Sequence, residues 1–411
     1  MSKIKSLSRK FFVFMICLCA CVEMSAQGRT QQDIVDSLFA DAQRLLSQGA
    51  FAKSNDGFTE IMRATRLDKA NKKSVFGYMS VNSLLDGDYR SYYKYAKKAR
   101  GRKRASNLKP FRRLPKEALE RPYDDVTIGY SLDTLSYEGS FRGYEIRVPV
   151  EIGGREEMMI LDNGCAIYST ASESFARKCG IRPIGIKGSA NGAVDEVDMW
   201  FGIADSLKIG GLTLRNVVFD VIPDKYLVNP VLDINAMLGA NIFRMIGEMI
   251  FDNNRRTITF PLVQRRRLPN ISIDTEGVHY MDVAVTGNGD VADDSQGVQS
   301  GEMLRMQLDL GSAKTELNSN YYERYREKIR SSFESSSALS GGVGGVEDVA
   351  VYMAPSLVFK AGGGQYFKRY TTIQTTADSN EGAEYGKLGN DFLLNFRRVV
   401  LNLRDMYLIA E

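Results

Sequence analysis

The stretch MMILDNGCAIYST, from Met158 to Thr170, sets an acid followed by Asn and Gly at the end of an apolar run. An unpaired carboxylate is costly to bury, so Asp162 needs solvent or a partner that shares its charge. A second stretch, MQLDLGSAKTELN from Met306 to Asn318, poses the same problem at Asp309. Either acid alone reads as an ordinary turn residue. Together they read differently, because each begins the same ordered series. After Asp162 come strands and turns, then Met237-Leu238-Gly239-Ala240-Asn241-Ile242-Phe243 and a closing Met249-Ile250-Phe251-Asp252. After Asp309 come Lys387-Leu388-Gly389-Asn390-Asp391-Phe392-Leu393 and Val399-Val400-Leu401-Asn402. From Asp162 to Gly239 is 77 positions and from Asp309 to Gly389 is 80, so the spacing points to an internal duplication.

The rest of the composition narrows the chemistry to carboxylates. The chain has 411 residues, 44% hydrophobic and 25% charged, enough for one large core or two to three smaller ones. Its formal charge of +4 is small for this length and gives no argument for nucleic acid as a partner. One histidine, His279, makes Ser-His-Asp or Cys-His catalysis and an imidazole-based zinc site poor readings, and a surface or satisfied core histidine is expected there.

Outward from the two acids the chain divides into regions. Residues 1–26 read as a signal peptide, with Lys3, Lys5, Arg9 and Lys10 before an apolar run from Phe11 to Val22, and export follows to the periplasm, cell envelope or medium. Leu18-Cys19-Ala20-Cys21 offers an alternative, a lipid anchor at Cys21. Three of the five cysteines lie there, leaving Cys165 and Cys179 as a disulfide or as two free thiols. Residues 27–100 have helical period, and Gly49-Ala50-Phe51 recurs as Gly87-Asp88-Tyr89, which predicts two helical hairpins resembling tetratricopeptide repeats. Residues 101–122 are a Lys/Arg-rich linker broken by Pro110, Pro115 and Pro122. It is a solvated connector or a tether to an anionic membrane surface. Alternating and β-branched runs follow, forming two β lobes over 123–268 and 269–411.

An apolar strand, Asp-x-Gly, a hydrophobic-hydrophobic-Gly about eighty residues on, then a short helix and strand, twice over, resembles the pepsin and retropepsin-like aspartic proteases from Tyr123 to the C-terminus. The resemblance implies a mainly β fold of two closed-barrel lobes, preceded here by the small helical domain. It also implies catalytic Asp162 and Asp309 facing each other at the seam, active-site loops holding Asn163, Gly164, Leu310 and Gly311, and supporting Gly239 and Gly389. Two carboxylates in a poorly solvated cleft share one proton, so one serves as base and the other as acid toward a water and a peptide carbonyl. That chemistry needs no cofactor and no metal, and its partner is a peptide or protein substrate.

Three departures bear on activity. The family usually carries Thr or Ser after each Asp, to brace the loops against one another; here the residues are Asn163, which can donate and accept, and Leu310, which can do neither. Cys165 replaces the usual Ala or Ser. A Gly-rich segment including Gly188, Asn191 and Gly192 falls where the family places a flap, and Ser340–Gly345 sits equivalently in lobe two. Neither fits GxGxxG or a P-loop. Trp200 reads as core or cleft wall, and Gly287–Gly301, with Asp290, Asp293 and Asp294, as an exposed hairpin loop without calcium spacing. Two functions are expected: an exported aspartic endopeptidase or, alternatively, an inactive protein of that fold that binds peptide or acts as a scaffold.

Overall fold

The computed structural model describes residues 31–137, 140–191, 196–228, 233–287, 302–377 and 382–411. The leader with Cys21, Gly192 and nearly all of the Gly287–Gly301 loop lie outside these.

Four helices open the described chain, Gln31–Ser47, Phe51–Ala64, Lys69–Leu85 and Tyr89–Arg100. They pair as the two expected hairpins. Gly49 and Gly87 make the turns at φ of 71° and 66°, a left-handed conformation that other residues adopt at a cost. Asp68 and Asp88 cap the third and fourth helices by accepting from the N–H groups of Asn71 and Ser91. Phe58, Ile61, Val75 and Met79 form the helical core, whereas Phe51 and Leu85 pack into the main β core. The basic segment that follows is anchored rather than free. Phe111 is buried among Tyr89, Tyr92 and Tyr168, and strand Ala118–Glu120 pairs with Leu212–Ile222.

The remainder is mainly β and two-lobed. Lobe one is a nine-stranded sheet and lobe two an eight-stranded one, and in each an additional pairing links the path back on itself: Glu196–Ile209 with Leu212–Ile222, and His279–Gly287 with Gly345–Ala361. The lobes repeat one unusual pairing. Met237-Leu238 runs parallel to Ile160-Leu161, and Lys387-Leu388 runs parallel to Gln307-Leu308. The lobe-one pair is buried on both faces and reads as apolar runs, whereas in lobe two the half-buried Gln307 and Lys387 alternate with buried Leu308 and Leu388. A third, five-stranded sheet joins the lobes, with Glu248–Asp252 antiparallel to Arg398–Asn402 at its centre. A late strand of lobe one therefore pairs with its counterpart in lobe two.

Candidate active site

Each candidate acid leaves the end of a central strand. The Asp162 N–H donates to the Leu238 carbonyl at 3.1 Å, and that of Asp309 to Leu388 at 3.0 Å. The loops beyond are fixed alike, by Ala240 N–H on the Cys165 carbonyl at 2.9 Å and Asn390 N–H on the Ser312 carbonyl at 2.8 Å. Ser169 accepts from the N–H of Gly239 and donates to Asn241; Thr315 accepts from the N–H of Gly389 and donates to Asp391.

The two acids meet at the seam. A Cβ placed on Gly164 would lie 2.7 Å from an Asp309 oxygen and 2.9 Å from an Asp162 oxygen, and one on Gly311 would lie 2.2 Å from Asp162. Neither glycine has a positive φ, so close approach is what demands glycine here. Without side chains the two turns can aim their N–H groups at the carboxylates: Gly164 donates to Asp162 at 2.8 Å, and Gly311 and Ser312 donate to Asp309 at 3.0 and 3.2 Å. Gly239 and Gly389 answer the same need, since a Cβ would strike the Tyr168 carbonyl at 2.0 Å and Lys314 backbone at 2.4 Å.

Two buried amides brace the seam: Asn390 of lobe two donates to the Tyr144 carbonyl of lobe one at 2.6 Å, and Asn163 of lobe one reaches the Asp309 loop. Buried Asn163 donates to the Leu308 carbonyl at 2.6 Å and accepts from the Leu310 N–H at 2.9 Å, so a single amide ties down the strand end before Asp309 and the residue after it. Leu310 makes no matching reach and is buried in the apolar core. Cys165 is a free thiol, as is Cys179, and no disulfide joins them. The Cys165 thiol donates to Asp162 at 3.2 Å while accepting from the Thr170 hydroxyl at 3.3 Å. Desolvation and then the nearby charge of Asp309 push Asp162 up to about 7. The pair is thus suited to hold a proton at mildly acidic pH.

Two hairpins stand over this region. Arg182–Asn191 pairs with Glu196–Ile209, placing Gly188 opposite Met199 and the Asn191 backbone opposite Glu196. Glu334–Gly342 pairs with Gly345–Ala361, and Val343 at its tip joins an apolar cluster of lobe one with Met199 and Cys165. The Gly344 N–H reaches the Tyr226 carbonyl at 3.4 Å. Trp200 packs on the core and donates to Glu173. His279 is a core residue but not a satisfied one, since neither ring nitrogen has a partner among the described residues and burial holds it neutral. Its strand was fixed by apolar neighbours, which sequence shows; the missing partners are a tertiary fact. No group of His, Cys, Asp and Glu suited to a metal occurs among the described residues.

Some of the site escaped the sequence reading. Arg244, buried, spans the Leu85, Ala166 and Ile167 carbonyls at 3.0–3.2 Å, tying the helical region to the back of the Asp162 loop. Asp220 lies opposite Thr170 and Phe201 on adjacent strands. Its signal was available, an acid inside the apolar run Val217–Ile222, which is the anomaly that singled out Asp162.

Residues 148–242 match the family model described as aspartyl protease. Among solved structures, the chain is similar to an aspartic proteinase from Irpex lacteus at 12% identity and a TM-score of 0.40, covering 69% of this chain and 96% of that one. It is similar also to basic 7S globulin from soybean, at 10% identity and a TM-score of 0.39, covering 70% and 96%. A retropepsin-like aspartic protease from Rickettsia conorii matches at 13% identity and a TM-score of 0.23, covering 35% of this chain and 93% of that one. No curated protein matches the chain.

Proposed function

We propose that the chain is an exported aspartic-type endopeptidase. The observation that carries this reading is the convergence of Asp162 and Asp309 on the paired glycine turns, braced across the seam by Asn163. In the singly protonated pair, the ionised carboxylate takes a proton from a water held between the acids while the protonated one hydrogen-bonds the scissile carbonyl. One proton then passes from the pair to the leaving amine as the tetrahedral intermediate collapses, which breaks the C–N bond and returns the pair to its singly protonated state. Backbone N–H groups of Gly164, Gly311 and Ser312 hold the charge in place, and the protein supplies all the groups this step needs.

The test is hydrolysis of unstructured peptides by the full chain. Cleavage is expected at mildly acidic pH, falling as pH rises through about 7, where Asp162 loses its proton. Asp162→Asn and Asp309→Asn should each lower kcat by at least about 1,000-fold. Unchanged cleavage in either variant refutes the dyad.

Leu310 favours a second reading, an inactive peptide-binding or scaffold protein, because its apolar side chain gives the Asp162 loop no counterpart to the tie that Asn163 makes to the Asp309 loop. Peptide binding without turnover across pH 3 to about 7 would select it. The helical hairpins, read as tetratricopeptide-like, then offer a further contact surface. Under either reading the basic segment after them, with or without a lipid anchor at Cys21, holds the protein at an anionic membrane surface.

A further inference from the structure

Asp220 stands apart from the other buried acids. Glu117 accepts from the Val218 N–H, Asn241 and Tyr89; Asp391 accepts from Thr315 and Tyr366 and pairs with Lys368; Glu248 accepts from the Arg265 N–H and Tyr407. The Asp220 side chain has no hydrogen bond or ion pair among the described residues and its Oδ1 is fully buried; Oε2 of Glu384 is likewise unmatched, but its other oxygen accepts from the Gly382 N–H. Buried polar groups in folded proteins are nearly always satisfied, and an unpaired carboxylate is among the most expensive exceptions.

Its place relates the exception to the candidate site. Asp220 pairs in register with Thr170 on one side and Phe201 on the other. Thr170 donates to the Cys165 thiol, which donates to Asp162, so the third acid lies beside the chain of contacts that ends at the dyad. Its neighbours along the strand face, Val218 and Ile222, belong to separate apolar clusters, one with Phe201 and Tyr168, the other with Met199 and Cys165. The titratable groups that feel its charge are the Cys165 thiol and the Tyr168 phenol, both held neutral by burial. Neither is a cation. The residue as a whole retains partial exposure, so a group from outside can reach it.

Resting on the peptidase reading, we propose that Asp220 is a specificity-determining residue: it floors a subsite on the lobe-one side of the scissile bond that takes a cationic side chain, Lys or Arg, of the substrate. The apolar walls suit the methylene stem and the carboxylate suits the charged tip. A neutral side chain of equal length fills the walls but leaves the acid unpaired, and a site built to pair a buried polar group rejects ligands that leave it bare. Burial pushes Asp220 up to about 7, so the preference for a cation strengthens as pH rises toward neutrality.

The experiment is a randomised peptide library cleaved by the full chain, followed by matched peptides carrying Lys or norleucine at the enriched position. At about pH 7, the upper edge of the active range, a Lys-to-norleucine ratio in kcat/KM of about 10 to 100 is expected, smaller at about pH 5 where Asp220 is protonated and collapsing to near 1 in Asp220→Asn. Equal cleavage of the two peptides by the natural chain, or a ratio unchanged in Asp220→Asn, overturns the subsite. Calorimetric binding of the same peptides with a reduced, uncleavable bond reads the ratio without turnover. Selective binding without cleavage defeats the peptidase reading and upholds the subsite, whereas cleavage without selectivity does the reverse.

Discussion

The candidate acid Asp162 and the unpaired Asp220 both carry their proton more firmly folded than unfolded, each pushed from the ordinary carboxylate range to about 7 by burial, with Asp309 adding to the effect on Asp162. The folded state then binds more protons than the unfolded one between about pH 4 and about pH 7. Stability from these groups is greatest at the acid end and declines as pH rises through that window. For Asp220 the decline is on the order of 3 kcal/mol. Asp220→Asn keeps the shape and removes the titration, so urea midpoints of the two proteins should nearly coincide at pH 4. The variant should be the more stable by pH 8. A difference profile that stays flat from pH 4 to 8 means Asp220 is well paired in solution. Asn163 shows the limit of reading single residues. Its amide chemistry is legible in sequence, but that one side chain satisfies a carbonyl and an N–H of the opposite loop depends on the seam geometry.

Among elements, the lobe-one series was legible because a parallel strand pair buried on both faces is written as apolar runs, the lobe-two series because Leu304, Met306 and Leu308 alternate with polar residues, and in both the paired glycines mark backbone approaching carboxylate or carbonyl. The helical hairpins were legible through their Gly-x-aromatic turns. Less legible was how the elements are fastened. Strand Ala118–Glu120 follows proline-broken sequence and forms because the edge of Leu212–Ile222 is there to receive it. Arg244 occupies a short helix of apolar residues, Ala240–Ile246, with nothing local to announce that three carbonyls from two regions converge on its guanidinium. Arg244→Met keeps the apolar bulk but strips those carbonyls of their donor, and a loss of about 3–5 kcal/mol in denaturant unfolding is expected. Arg244→Lys should recover only part of it, because one ammonium cannot span the fork. A loss under 1 kcal/mol in the Met variant would show that the helical region docks by apolar contacts alone.

For the whole molecule, the formal charge of +4 conceals a strong asymmetry. Residues 89–116 contain twelve Lys or Arg and no acid, which leaves −8 for the rest of the chain. All twelve are exposed, and among the described residues only Lys116 makes an ion pair, with Asp86. Apolar anchors explain how so many cations stay on one structured surface: Tyr92, Ala96, Leu108 and Phe111 are buried beneath them. Like charges this dense repel, and an anionic surface relieves the repulsion while releasing counterions. The same packing couples that surface to the candidate site, because Tyr89 and Phe111 lie against Tyr168 and Phe201, next to the Asp162 loop and the base of the first hairpin. The full chain should therefore sediment with vesicles containing about one-third anionic phospholipid and not with neutral ones, with binding lost between about 0.1 and 0.5 M salt as screening shortens. Reversing Lys97, Lys98, Arg102 and Arg104 to Glu should abolish sedimentation and leave thermal unfolding within about 2 °C, since exposed charges contribute little to stability. Equal sedimentation with neutral vesicles would place the attraction elsewhere in the chain, and a reversal variant that still binds anionic vesicles would remove this segment from the account of where the protein resides.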